Sequence, residues 1–310
     1  MVDFSIIIPV YCNSETLDEL ILQIDNKIFK KNEALTGQVV FCDDGSIDDS
    51  YEKLININKR FSNTKIIRLT RNFGQISAII CGLENIESKA YIILSADLQD
   101  PVSLINKFLS NHFENGFEIV LGERASRDDS YIDQLTAKIF YKIISKLSFP
   151  DYPRGGFDYF LISKKIRDLI IRMNQSNPFL QGEIFYTGFQ TKRIPYKRKK
   201  RLSGKSKTTL SKKITFFIDG ILSYSFFPLR AMSFLGFILF LVAILISIVL
   251  VIAKFNNYGT YPLGWASSIL LTILLNSIQM MFLGIIGEYL WRTLAQVRNK
   301  PKYIIDNVIE

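Results

Sequence analysis

The sequence predicts an α/β chain: a mostly parallel sheet with helices on both faces, followed by an amphipathic helix and two membrane-crossing helices. Three observations lead there. Over the first two-thirds of the 310 residues, short apolar runs alternate with stretches of helical periodicity, as in parallel strands joined by helical crossovers. Polar and acidic clusters close successive apolar runs, at the strand ends where open sheets of this kind bind ligands. Two later apolar runs, Ser233–Ala253 and Trp265–Ile286, are each about 21 or 22 residues, enough to cross a hydrocarbon core.

In chain order, Phe4–Val10 reads as the first strand and ends in Pro9-Val10-Tyr11. Leu17, Leu20, Ile21, Ile24 and Ile28 recur at helical spacing, with Ser14 or Thr16 as cap. Gln38–Cys42 is the second strand, closed by Asp43-Asp44-Gly45-Ser46; Asp48, Leu54 and Ile57 belong to the next helix. Lys65–Leu69 is the third strand, followed by Arg71-Asn72-Phe73-Gly74 and a helix through Leu83. Tyr91–Leu94 is the fourth and Glu118–Leu121 the fifth. The clusters at four successive strand ends are hard to explain as four independent helix caps.

The fourth cluster, Ser95-Ala96-Asp97-Leu98-Gln99-Asp100-Pro101, carries the most chemistry. Asp97 and Gln99 stand two apart and face one side of an extended segment. Two hard oxygen donors on one side can hold Mg²⁺ or Mn²⁺, with a diphosphate completing the shell. The plainer alternative is that Asp97 caps the next helix and Pro101 starts it.

Composition narrows the options. Net charge is +9, with about eleven Lys and Arg between Lys192 and Lys213, just ahead of the first apolar run. That position favours anionic headgroups or phosphate ligands over nucleic acid. The loop Phe255–Leu263 between the apolar runs has no basic residue, whereas Arg292, Arg298, Lys300 and Lys302 follow the second. The positive-inside rule then places both termini and the large domain in the cytoplasm, at the plasma (inner) membrane. The N-terminus has no basic region leading into an apolar stretch and a small-residue cleavage site, so no signal peptide is expected. Cys12, Cys42 and Cys81 fit neither a zinc site nor a disulfide framework and are expected to be reduced core residues. With His112 as the single histidine, on a predicted helix surface, a His-dependent triad is disfavoured. No G-x-G-x-x-G follows the first strand and no G-x-x-x-x-G-K-[ST] exists, which disfavours dinucleotide and P-loop sites.

Three later segments add to this. Arg154-Gly155-Gly156-Phe157-Asp158-Tyr159-Phe160-Leu161 places a glycine pair, which allows close backbone approach, before an aromatic-rich strand holding Asp158. Asp158 either acts at a ligand or pairs with a nearby Arg. Arg201-Leu202-Ser203-Gly204-Lys205-Ser206-Lys207 is a basic loop with hydroxyls, suited to phosphate oxygens or simply to solvent. Apolar positions Leu210, Ile214, Phe217, Ile218, Ile221 and Leu222, opposite Lys212, Lys213 and Asp219, read as an interfacial amphipathic helix broken by Pro228. The expected organisation is a sheet domain over 1–209, an interfacial helix over 210–229 and a membrane hairpin with tail over 230–310.

On Ile8-Pro9-Val10-Tyr11, Asp43-Asp44-Gly45-Ser46, Arg71-Asn72-Phe73-Gly74 and Ala96-Asp97-Leu98-Gln99-Asp100-Pro101, the chain resembles glycosyltransferase family 2. Within it the polyprenyl-phosphate group is most similar, through the Arg201–Lys207 loop and through Gly287–Leu290 and Lys300–Ile304. The resemblance implies a GT-A fold and inverting transfer of a sugar from a nucleotide-diphosphate donor to a polyprenyl (undecaprenyl) phosphate. It implies that Pro9, Tyr11, Asp43, Asp44 and Arg71 line the nucleotide site. Asp97 and Gln99 would hold the metal and donor diphosphate, Asp158 would act near the reacting sugar carbon, and Arg201, Ser206 and Lys207 would bind phosphate. It also implies a homo-oligomer, often a tetramer. Three sites depart from the family: Ser95 stands where it usually has Asp, Cys12-Asn13 where it often has Asn-Glu, and Phe160 where many members have arginine, so no sugar preference is implied. A hydroxyl is a weaker ligand than a carboxylate, so the metal is expected to be held less tightly or through water.

Three alternatives stand beside this reading. A processive polysaccharide synthase usually carries Gln-x-x-Arg-Trp, which is missing. A transferase acting on protein or a free sugar would have no use for the apolar runs. An inactive membrane scaffold would explain Ser95 but not the retention of Asp97, Gln99, Asp158 and the basic loop.

Overall fold

The computed structural model describes residues 2–124, 153, 157–175, 178–198, 264–298 and 300–310, with scattered positions between 234 and 252. It divides into two compact units, Met1–Gly220 with Lys300–Glu310, and Ile221–Asn299.

The first unit is built on β1 (Val2–Val10), whose residues from Phe4 to Val10 are all buried. A strand buried on both faces needs apolar side chains on both, which is why Phe4-Ser5-Ile6-Ile7-Ile8 reads as a continuous run. Phe4, Ile6, Ile8 and Val10 point into the main core with Leu17, Leu20, Ile21 and Ile24 of α1 (Leu17–Lys27) and Leu54 and Ile57 of α2 (Ser50–Arg60). Ile7 faces the other side, against Gly82 of α3 (Gln75–Glu84), where an added Cβ would come within 2.6 Å of it. Helices therefore cover both faces, as expected from the alternation.

Strands β2 (Gly37–Asp43), β3 (Thr64–Leu69) and β4 (Ser88–Ile93) complete a parallel centre with β1. Beyond it the sheet is more mixed than the sequence suggests. After α4 (Leu104–Phe113), β5 (Ile119–Arg124) does not pair with β4; β6 (Phe160–Ser163) lies between them, antiparallel to both. Helices α5 (Lys164–Met173) and α6 (Leu180–Tyr186) precede β7 (Thr191–Tyr196), which pairs parallel with β5. At the opposite edge, β8 (Ile305–Ile309) runs antiparallel to β3, giving the order β7-β5-β6-β4-β1-β2-β3-β8. The sequence reading assigned no strand to the tail.

Smaller expectations are corrected too. Asp48 precedes α2 rather than lying in it; its Oδ1 accepts the Ser50 N–H. Asp158 sits two residues before β6, not within it. Cys42 and Cys81 are buried free thiols, but Cys12 is half-buried in a loop at φ 52°. Asp97 does not cap a helix: α4 starts at Leu104 after Ser103.

Of the second unit, helix α7 (Gly264–Arg298) holds the expected span Trp265–Ile286, while most of Ser233–Ala253 lies outside the described residues. Among the described residues, no helix is long and apolar enough to cross a membrane. The 210–229 segment lies outside the described residues altogether.

One buried acid makes the first unit's stability pH-dependent. Glu183 on α6 is 1% exposed, and among the described residues its Oε1 has no hydrogen-bond partner. Burial, opposed by Lys302, pushes its carboxyl from 4.5 up to about 7. Through that window the folded chain keeps a proton that the unfolded chain releases. The contribution of Glu183 is therefore most favourable below about 4.5, falls as pH rises, and is fully lost above about 7. At about 1.4 kcal/mol per pH unit the loss is at most about 3.5 kcal/mol. Glu183→Gln should stabilise the protein in denaturant melts at about pH 8 and do little at about pH 5. Equal effects at both pH values would contradict this origin.

Candidate active site at the strand ends

The parallel register aligns the carboxyl ends of the central strands. Val10 lies beside Asp43, and Asp43 beside Arg68. The loops leaving these ends are cross-tied. The Cys12 N–H donates to Ser46 Oγ at 3.0 Å and the Asn13 N–H to Ser50 Oγ at 2.8 Å. Asp44 accepts the backbone N–H groups of Phe73 at 2.7 Å and Gly74 at 2.9 Å. Gly45, at φ +64°, lets these loops touch: a Cβ there would come within 2.5 Å of the Arg71 backbone. The Asp-Asp-Gly-Ser and Arg-Asn-Phe-Gly motifs thus form one folded unit.

In front of this unit is a cavity of about 420 Å³ lined by Tyr11, Gly45–Ile47, Arg68–Asn72 and Asp306. Of the residues expected at a nucleotide, Tyr11 and Arg71 line it. Asp43 and Asp44 are buried behind it, and burial raises both carboxyls above their ordinary range. Pro9 is buried within β1, beside Cys42.

The Ser95–Asp100 stretch turns away from β4 with a regular alternation. Ser95, Asp97 and Gln99 are partly exposed; Ala96, Leu98 and Asp100 are buried. The shared side of Asp97 and Gln99 is achieved by a turn rather than by extended chain. Leu98 takes φ 57° and the Gln99 N–H donates to Asp97 Oδ1 at 3.2 Å. A non-glycine residue in this region stores strain, which persists when its surroundings over-determine it. They do here. Thr16 Oγ1 donates to Ala96 O at 2.6 Å, Tyr159 Oη to Pro101 O at 3.2 Å, and Tyr196 Oη to Asp100 Oδ1 at 2.6 Å.

Arg198, two residues past β7, reaches the same turn, with Nη2 3.6 Å from Asp97 Oδ2 and Nε 3.1 Å from Asp100 Oδ1. Asp100 is buried, which raises its carboxyl, and Arg198 opposes the rise. Nearby, Arg124 at the end of β5 pairs with Asp158 Oδ2 at 2.5 Å, and Gln181 Nε2 lies 3.3 Å from Asp158 Oδ1. The plainer alternative for Asp158, a pairing with an arginine, is therefore present, while 44% of its side chain remains accessible. The sequence reading missed Arg124, Tyr196 and Arg198. Their signal is an arginine or Tyr-x-Arg closing a strand on the side where the acids collect, and the basic run Lys192–Lys213 hides Arg198 among its neighbours.

Among the described residues no group of three or more His, Cys, Asp or Glu is arranged to hold a metal. The donor set of Asp97 and Gln99 still suits Mg²⁺ or Mn²⁺ in the mode that uses one carboxylate and leaves the remaining positions to water and phosphate. The loop residues Arg201, Ser206 and Lys207 lie outside the described residues, as do Arg154, Gly155 and Gly156.

Residues 5–170 match the family described as Glycosyl transferase family 2. The chain is 30% identical to the prophage bactoprenol glucosyl transferase homolog of Escherichia coli (strain K12), over 98% of each chain. It is 30% identical to the bactoprenol glucosyl transferase of Shigella phage SfII, over 97% of this chain and 96% of that one. Among solved structures it is similar in fold to glucosyl-3-phosphoglycerate synthase of Mycobacterium tuberculosis, crystallised with Mn²⁺, UDP-glucose and phosphoglyceric acid. That likeness has a TM-score of 0.52 at 15% identity and covers 72% of this chain and 79% of that one.

Proposed function

The chain belongs to glycosyltransferase family 2, and on that premise we propose that it transfers a sugar from a nucleotide-diphosphate donor to a polyprenyl phosphate at the cytoplasmic membrane face. The observation that carries this is the extent of the likeness to bactoprenol glucosyl transferases. It runs beyond the family domain, through the basic loop and both apolar runs, to the tail. A lipid acceptor gives those segments a purpose. Drawing an isoprenoid out of the bilayer costs about 0.8 kcal/mol per CH₂, so the site must come to the membrane.

Each part of the strand-end site has a role in this reaction. The cavity at Tyr11 and Arg71 takes the nucleoside, and the Asp97 turn takes the diphosphate. The fold neighbour binds Mn²⁺ with a UDP-sugar, and we assign a divalent cation to Asp97 and Gln99. Held by Asp97 and Gln99, such an ion would supply positive charge toward the departing diphosphate. Arg198, already against Asp97 and Asp100, is placed to add positive charge on the same side. The acceptor is a phosphate monoester whose second pKa is about 6, so it arrives largely ionised and needs little help from a base. Asp158, held by Arg124, orients the acceptor or stabilises positive charge at the anomeric carbon. Direct displacement inverts that carbon. Arg201, Ser206 and Lys207 grip the lipid phosphate or the donor diphosphate.

Partition of labelled sugar tests the acceptor. In the presence of polyprenyl phosphate the label should enter the organic phase; label in a growing polymer would favour a polysaccharide synthase.

We further propose that Ser233–Ala253 and Trp265–Ile286 form a membrane hairpin with both termini cytoplasmic, and that the chain works as a homo-oligomer, a tetramer by family likeness. The basic flanks and the exposed Met280, Leu283, Leu290 and Trp291 support the hairpin. A cysteine at Asn257 should react with an impermeant thiol reagent outside the cell, and one at Asn307 should not. The reverse labelling would overturn the orientation.

A further inference from the structure

The C-terminal strand contributes a carboxylate to the cavity that nothing above explains. Strand β8 pairs with β3 so that Asn307 lies opposite Arg68 and Ile305 opposite Leu69, with the register shifting between them. Asp306 is the extra residue at that irregularity. A bulge re-aims the side chain it carries, and bulges collect beside active sites. Here the re-aimed side chain lines the cavity, with Oδ2 4.0 Å from Arg68 Nε. The strand end is pinned on both sides. The Thr70 N–H donates to Ile304 O at 3.0 Å, and Asn307 Nδ2 to Tyr51 Oη at 3.1 Å. Tyr51 in turn supports Arg68, whose guanidinium lies 4.1 Å from its ring centre.

Three carboxylates cluster here, and two are already committed. Both Asp44 oxygens accept loop N–H groups. The Asp43 side chain is fully buried, with Oδ1 on the Ser46 N–H and Oδ2 facing Arg68 at 3.7 Å. The Asp306 side chain is 52% exposed. An ionised carboxylate only accepts hydrogen bonds, so it selects a ligand edge that presents N–H. On the nucleoside reading of the cavity, on which this inference rests, that edge is the ring N–H of uracil or guanine. Cytosine presents an acceptor at the corresponding ring nitrogen.

We propose that Asp306 is a specificity-determining residue of the donor site: it accepts the ring N–H of the nucleobase, and the C-terminal strand forms one wall of the pocket.

The test is calorimetric binding of UDP, GDP and CDP to the full-length chain and to Asp306→Ala, Asp306→Asn and Glu310→Gln. Glu310 directly follows the same strand, is exposed, and pairs with Lys65. The parent should bind UDP or GDP at least about tenfold more tightly than CDP, in line with one hydrogen bond to a charged group. Asp306→Ala should lose most of that preference. Asp306→Asn, whose amide can donate as well as accept, should gain CDP. Glu310→Gln should match the parent, which separates base reading from damage to the strand. Parent binding with an unchanged preference in Asp306→Ala would overturn the role of Asp306 and leave the donor site standing. A parent that binds none of the three nucleotides would overturn the donor reading itself.

Discussion

Asp97→Ala should reduce sugar transfer by at least about 10³-fold while leaving the fold intact, a loss on the scale of removing a principal electrostatic stabiliser. The residue is outside the apolar core. Its partners include the Gln99 N–H and Arg198, which are polar contacts of a turn and not core packing. Two functions meet in its carboxylate: holding the left-handed turn at Leu98, and presenting negative charge to a cation. Asp97→Asn separates them, because the amide oxygen still accepts the Gln99 N–H but carries no charge. We expect Asp97→Asn to keep the parent's melting temperature and to be nearly as inactive as Asp97→Ala. Near-normal turnover of either variant with added Mn²⁺ would remove Asp97 from the site.

Asp158→Asn should lower kcat by about two to four orders of magnitude, with nucleoside diphosphate affinity unchanged within about twofold. The expectation follows from position. Asp158 is oriented by Arg124 and Gln181 rather than by the loops that line the Tyr11 and Arg71 cavity. Because Arg124 is largely buried, neutralising its partner also leaves a guanidinium short of compensation. Stability must therefore be measured alongside turnover. A variant that unfolds would make the ion pair structural, and one that loses nucleotide binding would place Asp158 at the wrong end of the donor. Arg124→Lys, which keeps the charge but loses the planar fork, should show a smaller loss of the same kind.

Much of this site could be read in the sequence because its parts are local. Each acid or arginine cluster follows its own apolar run, and a parallel sheet brings such ends together whatever the details of packing. The pairing of Asp43 with Val10 and Arg68 is that rule at work. The sequence was less informative where geometry depends on long-range pairing. Strand β6 inserts antiparallel between β4 and β5, and no local pattern in Phe160–Ser163 announces it. The tail Ile305–Ile309 is short and half polar, so only its pairing with Thr64–Leu69 makes it a strand and brings Asp306 to the cavity. Extended-chain geometry is the wrong basis for putting Asp97 and Gln99 on one side, because a positive φ at Leu98 cannot be read from an apolar side chain. Arg198 was lost in a basic run whose other members give no sign of which one turns inward.

The proposed reaction passes a sugar from a nucleotide to a polyprenyl phosphate. Its most direct test is mass spectrometry of the lipid fraction after the full-length chain is incubated with undecaprenyl phosphate, a divalent cation and a panel of nucleotide sugars. One donor should yield a polyprenyl phosphate heavier by a single sugar residue, with one nucleoside diphosphate released per product and neither formed by Asp97→Ala. Nucleoside diphosphate released without any lipid product, or sugar recovered only in polymer, would contradict it.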